Sequence, residues 1–146
     1  MADSVRGKLT PGEIVIVASG AVALLFSFFP WYTAGSARYS AWGSGLFPVA
    51  TLVPILATVM LAQILVDKLS VASVPRHLGD FTWEQIHLVA AVGAAVLVFC
   101  YLLVDRGGAD LGVGFYFDLL AAGGLVVGAV LIRGERRHSR PSPGGF

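Results

Sequence analysis

Charged side chains leave long gaps along the chain. No Asp, Glu, Lys or Arg falls between Glu13 and Arg38, between Arg38 and Asp67, or between Glu84 and Asp105. Only Asp118 interrupts the run from Asp110 to Arg133. Each gap supplies the roughly 20 apolar residues that a helix needs to cross about 30 Å of hydrocarbon. The runs are continuously apolar instead of alternating, which argues for helices over barrel strands. The pattern predicts an all-α polytopic membrane protein with four transmembrane helices in an antiparallel bundle. The spans fall at about 14–32, 46–66, 85–104 and 112–132. Residues 1–13 are read as the N-terminal segment and 133–146 as a disordered, basic tail.

Two helix starts are written in the same way. In "LTPGEI" Thr10 is the N-cap, Pro11 takes the first helical position and Glu13 completes a capping box. "FTWEQI" repeats the scheme with Thr82 and Gln85. Aligned on these caps, residues 9–25 and 81–97 share Thr10/Thr82, Ile14/Ile86, Val17/Val89, Ala18/Ala90, Ala23/Ala95 and Leu25/Leu97. Two repeated helical hairpins would produce this match. Shared capping physics in compositionally similar apolar helices explains it as well, and is the favoured reading.

Composition supports the membrane assignment. Hydrophobic residues make up 56% of the 146 and charged residues 13%, against about 25% charged in soluble domains. The cations set the orientation. Arg6 and Lys8, then Lys68 and Arg76, then Arg133, Arg136, Arg137 and Arg140 fall on one side of the predicted topology. Arg38 and Arg106 fall on the other. Both termini are therefore expected in the cytoplasm, with the protein in the cell membrane. A secretory signal cleaved near Ala37 is the competing reading. The first apolar run is longer than a usual signal core, and Trp31-Tyr32 suits an interface anchor, so retention is favoured. The tail arginines Arg133, Arg136, Arg137 and Arg140 are expected to attract anionic lipid headgroups.

Candidate chemistry is sparse. Cys100 is the sole cysteine, so no intramolecular disulfide or multi-cysteine metal site is available, and it is expected to pack as a small apolar residue in the third span. Glu84 and His87 form one Glu-x-x-His pair, short of the four-helix carboxylate pattern; it reads as a helix start. No catalytic set, cofactor motif or nucleic-acid signature is legible. Asp118 is the one acid inside a predicted span, a functional hypothesis by default. Arg38 or Arg106 are its candidate partners, in a pairing or an ion or proton path. Its neighbours Phe115, Tyr116 and Phe117 resemble an aromatic belt, which favours an interfacial position instead. Gly124 and Gly128 form a GxxxG, expected to pack the fourth span against the third, with a homodimer face as the rival use. Pro54, inside the second span, is expected to kink it.

Trp31, Tyr32, Tyr39 and Trp42 surround Arg38 in the first outer loop. They are expected to cap the bundle at the interface, or to form a surface for a membrane partner. Here the chain resembles a group of small four-span membrane proteins of actinobacteria. The matching residues are Phe29-Pro30-Trp31-Tyr32 and Ala41-Trp42, and the likeness covers the first two spans. It implies the four-span fold and transfers no activity. The function expected from these residues is a non-enzymatic structural or accessory subunit that meets a membrane partner or self-associates. A small oligomeric transporter or channel using Asp118 is the alternative.

Overall fold

The computed structural model describes residues 8–43, 49–69, 75, 77–105 and 107–139. It is mostly helical, and α1 (Pro11–Phe26), α2 (Val49–Lys68), α3 (Trp83–Leu103) and α4 (Val113–His138) make up its frame. Both capping boxes are formed. Thr10 Oγ1 accepts from the Glu13 N–H at 3.3 Å while Glu13 Oε2 accepts from the Thr10 N–H at 2.9 Å. Thr82 and Gln85 repeat the exchange at 3.4 and 3.0 Å.

Helices α2, α3 and α4 are long and apolar enough to cross a membrane. Helix α1 is shorter than the span predicted over 14–32. Its 16 residues rise about 24 Å, and the helix ends at Phe26. Pro30 is the reason. It lacks an N–H and pushes the residue before it toward extended backbone. The chain continues as β1 (Pro30–Ala34), which turns through Gly35-Ser36 into antiparallel β2 (Ala37–Ser40). Gly35, at φ +59°, gives this two-residue turn the positive φ that right-twisted hairpins favour. A second short hairpin, β3 (His77–Leu78) and β4 (Phe81–Thr82), turns through Gly79-Asp80, with Gly79 at φ +63°. Strand β5 (Asp110–Leu111) adds to the other edge of β1, giving a sheet in the order β2-β1-β5. The small sheets depart from the expected all-α fold.

Helix α1 packs against α4 and α2, and α3 packs against α4 and α2. The α1–α4 contact is the largest, and glycines make it close. A Cβ at Gly128 would lie 2.6 Å from Ile16 Cγ1, and one at Gly12 would lie 2.7 Å from the Ile132 backbone nitrogen. At Gly124 a Cβ would run into the Ser19 hydroxyl. The GxxxG therefore faces α1, not α3 as expected, and is not free to form a homodimer face. The short loop between the third and fourth spans makes α3 and α4 neighbours. The small residues of α4 nonetheless select α1, whose own Gly12 permits close approach.

Helix α2 continues through Pro54, and the Thr58 hydroxyl donates to the Pro54 carbonyl at 2.7 Å. Helix α4 runs six residues past the predicted boundary, to His138, so residues 133–138 are helical where a disordered tail was expected. Arginine is a good helix former, and cations in a last turn suit the helix dipole. Arg140 and residues 141–146 lie outside the described residues, as do Pro48, Arg76 and Arg106.

Buried apolar side chains form two groups. Ile16, Met60, Ile64, Leu125 and Ile132 fill the half near the start of α1. Trp31, Val53, Val98 and Phe115 fill the half under the three-stranded sheet. Many large apolar side chains face outward from the helices, among them Val89, Val96 and Phe99 on α3 and Leu120, Val127 and Val130 on α4. Cys100 is also exposed on α3, among these apolar side chains.

Two glycines of α4 separate packing from propensity. Gly128→Leu should destabilise the protein by about 1–3 kcal/mol, because it overpacks a closed contact with Ile16. Gly123→Ala, where the added methyl meets nothing, should stabilise it by up to about 1 kcal/mol. Thermal unfolding of the two variants in one detergent measures the difference.

Candidate functional site

At the sheet end, the tryptophan that follows Pro30 is turned inward. Trp31 and Asp118 are both fully buried, and the indole Nε1–H donates to Asp118 Oδ2 at 2.6 Å. The other carboxyl oxygen, Oδ1, is buried with no hydrogen-bond partner among the described residues. Asp118 is thus enclosed by protein, near the start of α4. The helical period explains it. Phe115, Asp118, Ala121, Ala122, Leu125, Gly128, Ala129 and Ile132 recur at three- and four-residue spacing and form the buried stripe of α4. Tyr116 and Phe117 point outward, and Phe117 stacks on Phe26 of α1 with ring centroids 4.0 Å apart.

Rings enclose the pair. Phe115 and Tyr101 meet Trp31 edge-on, at centroid distances of 5.5 and 5.7 Å. Tyr32 is buried too, and its hydroxyl donates to the Tyr101 carbonyl at 3.1 Å. Gly112 completes the arrangement. Its N–H donates to the Trp31 carbonyl at 2.7 Å, and a Cβ there would overlap the Pro30 carbonyl oxygen. The missing side chain lets β5 touch β1.

Of the four aromatic residues expected to form a partner surface, Trp31 and Tyr32 are therefore inside. Tyr39 and Trp42 remain outside, 41% and 40% exposed. Trp42 is held from below, since its Nε1–H donates to the Ser27 hydroxyl at 2.9 Å and its ring stacks on exposed Phe28. Arg38 lies on β2 opposite Thr33, exposed, with no ion pair among the described residues. It is not the partner of Asp118. Arg106, the other candidate partner, lies outside the described residues.

The opposite end of the helices carries polar links that the sequence did not announce. Glu13 of α1 pairs with Lys68 at the end of α2 at 2.9 Å. Glu135 of α4 accepts from the Gly12 N–H at 3.0 Å, and Arg136 pairs with Glu84 at the start of α3 at 3.0 Å. The Glu-x-x-His pair is split in role. Glu84 serves that ion pair, while His87 is buried beside Trp83 with Nε2 unpartnered among the described residues. His87, Glu13, Gln63, Asp67 and Arg136 line a recess of about 20 Å³ there. No metal-binding group of three or more His, Cys, Asp or Glu occurs among the described residues.

No family model, curated protein or solved structure matches the chain.

The Trp31–Asp118 bond can be measured. Trp31→Phe leaves the Asp118 carboxyl buried without its donor and should cost about 1–3 kcal/mol beyond the lost packing. Adding Asp118→Leu to Trp31→Phe should recover part of that loss, because both buried partners are then gone. A double-mutant cycle by thermal unfolding reads the coupling.

Proposed function

We propose that this chain is an integral protein of the cell membrane. Its four helices cross as an antiparallel bundle, with both termini in the cytoplasm. It acts as a non-enzymatic accessory subunit, docking a membrane partner on its outer β1–β2 hairpin. Several observations support the membrane part. Three helices have the necessary length and composition, large apolar side chains face outward along them, and the cations gather at one end. Helix α1, with a rise of about 24 Å, is the shortest of the four.

One observation carries the accessory role. The hairpin is anchored by buried Trp31 and Tyr32, and it leaves Arg38 and Tyr39, on opposite faces of β2, and Trp42 just after it exposed. Tyr, Trp and Arg on a rigid support are the residue types that dominate binding energy. The partner surface is thus narrower than the four aromatics of the sequence and includes Arg38. The transporter reading rests on the unpartnered Oδ1 of Asp118. Against it, the Trp31 indole holds the other oxygen and ring packing encloses the pair. Self-association through the GxxxG has no free face to use.

A photoreactive residue at Tyr39 should give one discrete, near-stoichiometric protein adduct in native membranes. Arg38→Glu should remove it, and the same probe at lipid-facing Leu120 should give none. If position 39 yields no adduct, or the same products as position 120, the accessory role falls. In a Cys100→Ser background, Ser36→Cys should react with an impermeant maleimide on intact cells, and Asp80→Cys only after permeabilisation. The reverse pattern would overturn the orientation.

A further inference from the structure

The start of α3 and the end of α4 enclose a cleft of about 630 Å³, lined by Thr82, Gln85, Arg133, Arg136 and Arg137, together with Glu84. Three arginines face a single carboxylate there, and that carboxylate is paired with Arg136. Arg133 and Arg137 have no ion pair among the described residues. Gln85 spends its side-chain oxygen on the Thr82 N–H, which leaves its NH2 group available as a donor. The cleft thus has two uncommitted guanidinium groups and a neutral donor, the chemistry that recognises a phosphate oxyanion.

The surface beside the cleft identifies what the phosphate is attached to. Counting up α4 from Arg137 and Arg133, the same helix face continues as Val130, Val127, Gly123 and Leu120, all exposed. Counting along α3 from Gln85, the same face continues as Val89, Val92 and Val96, also exposed. Gly123 has open space where a side chain would stand. Two apolar stripes therefore lead from the arginines along adjacent helices. A free phosphate compound has no use for them.

We propose that this cleft is a binding site for one anionic phospholipid. Its phosphate sits on Arg133 and Arg137, with Gln85 as a further donor, and its acyl chains lie along the exposed α3 and α4 stripes. This goes beyond diffuse attraction of a basic tail, because it assigns a stoichiometry and separates these two arginines from other cations. It rests on the membrane reading above and is independent of the outer partner.

The test is native mass spectrometry of the full chain in detergent, titrated with phosphatidylglycerol, phosphatidylcholine or chainless glycerophosphoglycerol. One phosphatidylglycerol should be retained per chain, in preference to phosphatidylcholine. Arg133→Gln/Arg137→Gln should weaken it by about tenfold or more, the loss expected from charge-assisted bonds. Arg6→Gln/Lys8→Gln removes the same charge at the N-terminus and should change affinity by no more than about twofold, as screened charges do. Arg133→Lys/Arg137→Lys keeps the charge and loses the planar fork, so an intermediate loss is expected if the glutamine variant does not fold. Equal losses in the two charge-removal variants would overturn the site in favour of a diffuse field. So would glycerophosphoglycerol binding as tightly as the lipid, or lysine variants indistinguishable from the unmodified chain. Extraction of the protein by alkaline carbonate would sink the membrane reading itself; membrane retention without selective lipid binding would sink only the cleft.

Discussion

The close approach of α1 and α4 is the constraint from which the other features follow. Four glycines, Gly12, Gly114, Gly124 and Gly128, stand where any side chain would strike the α1 segment, α4 or the chain just after α1. With those backbones in contact, Phe26 stacks on Phe117 and the Phe29 carbonyl comes up to Gly114. The strand leaving α1 is then delivered over the start of α4. Trp31 lands on Asp118, and β5 reaches β1 through Gly112. At the far end the same contact brings Glu135 to the Gly12 N–H. In lipid, where apolar surface gains little from association, such backbone proximity and interhelical hydrogen bonding are what hold helices together.

The two ends of the protein solve different problems. At the sheet end, backbone groups that leave the helices need partners. They find them in β1, β2 and β5, in the Tyr32 hydroxyl and in the Gly112–Trp31 bond, so little irregular backbone is left without a partner. At the other end, ion pairs and a capping carboxylate tie α2 to α1, α1 to α4 and α4 to α3. Single exposed pairs are weak. Here their consequence is positional, because they leave Arg133 and Arg137 uncommitted beside the start of α3.

The buried acid illustrates how local and global signals compete. Phe115-Tyr116-Phe117 invites an interfacial assignment of Asp118, since three consecutive rings look like a belt. The helical period answers a different question, which face of α4 the acid occupies. Asp118 lies three residues after Phe115 and on the face that continues to Leu125 and Gly128. That face was legible, and reading it would have placed the acid inside. Its partner was not legible, because Trp31 is 87 residues away in sequence. The hairpins were also partly written. Gly35-Ser36 and Gly79-Asp80 are two-residue turns of the kind that join antiparallel strands, but the flanking strands are too short to carry a periodic signal.

Local physics determined the parts of this protein that the sequence alone reveals. The capping boxes at Thr10 and Thr82 depend on neighbours three residues apart, and the helices α2, α3 and α4 on long apolar runs, broken in α4 by Asp118 alone before Arg133. Pro30 ends α1 by its own geometry, wherever that helix packs. Tertiary structure alone decided which helix the Gly124–Gly128 face meets, that Trp31 and Tyr32 turn inward while Tyr39 and Trp42 stay out, and that Arg136 takes Glu84. These outcomes depend on how closely two backbones can approach and on which side chains the approach brings within bonding distance. Residue spacing along one helix carries no information about the helix that comes to lie beside it.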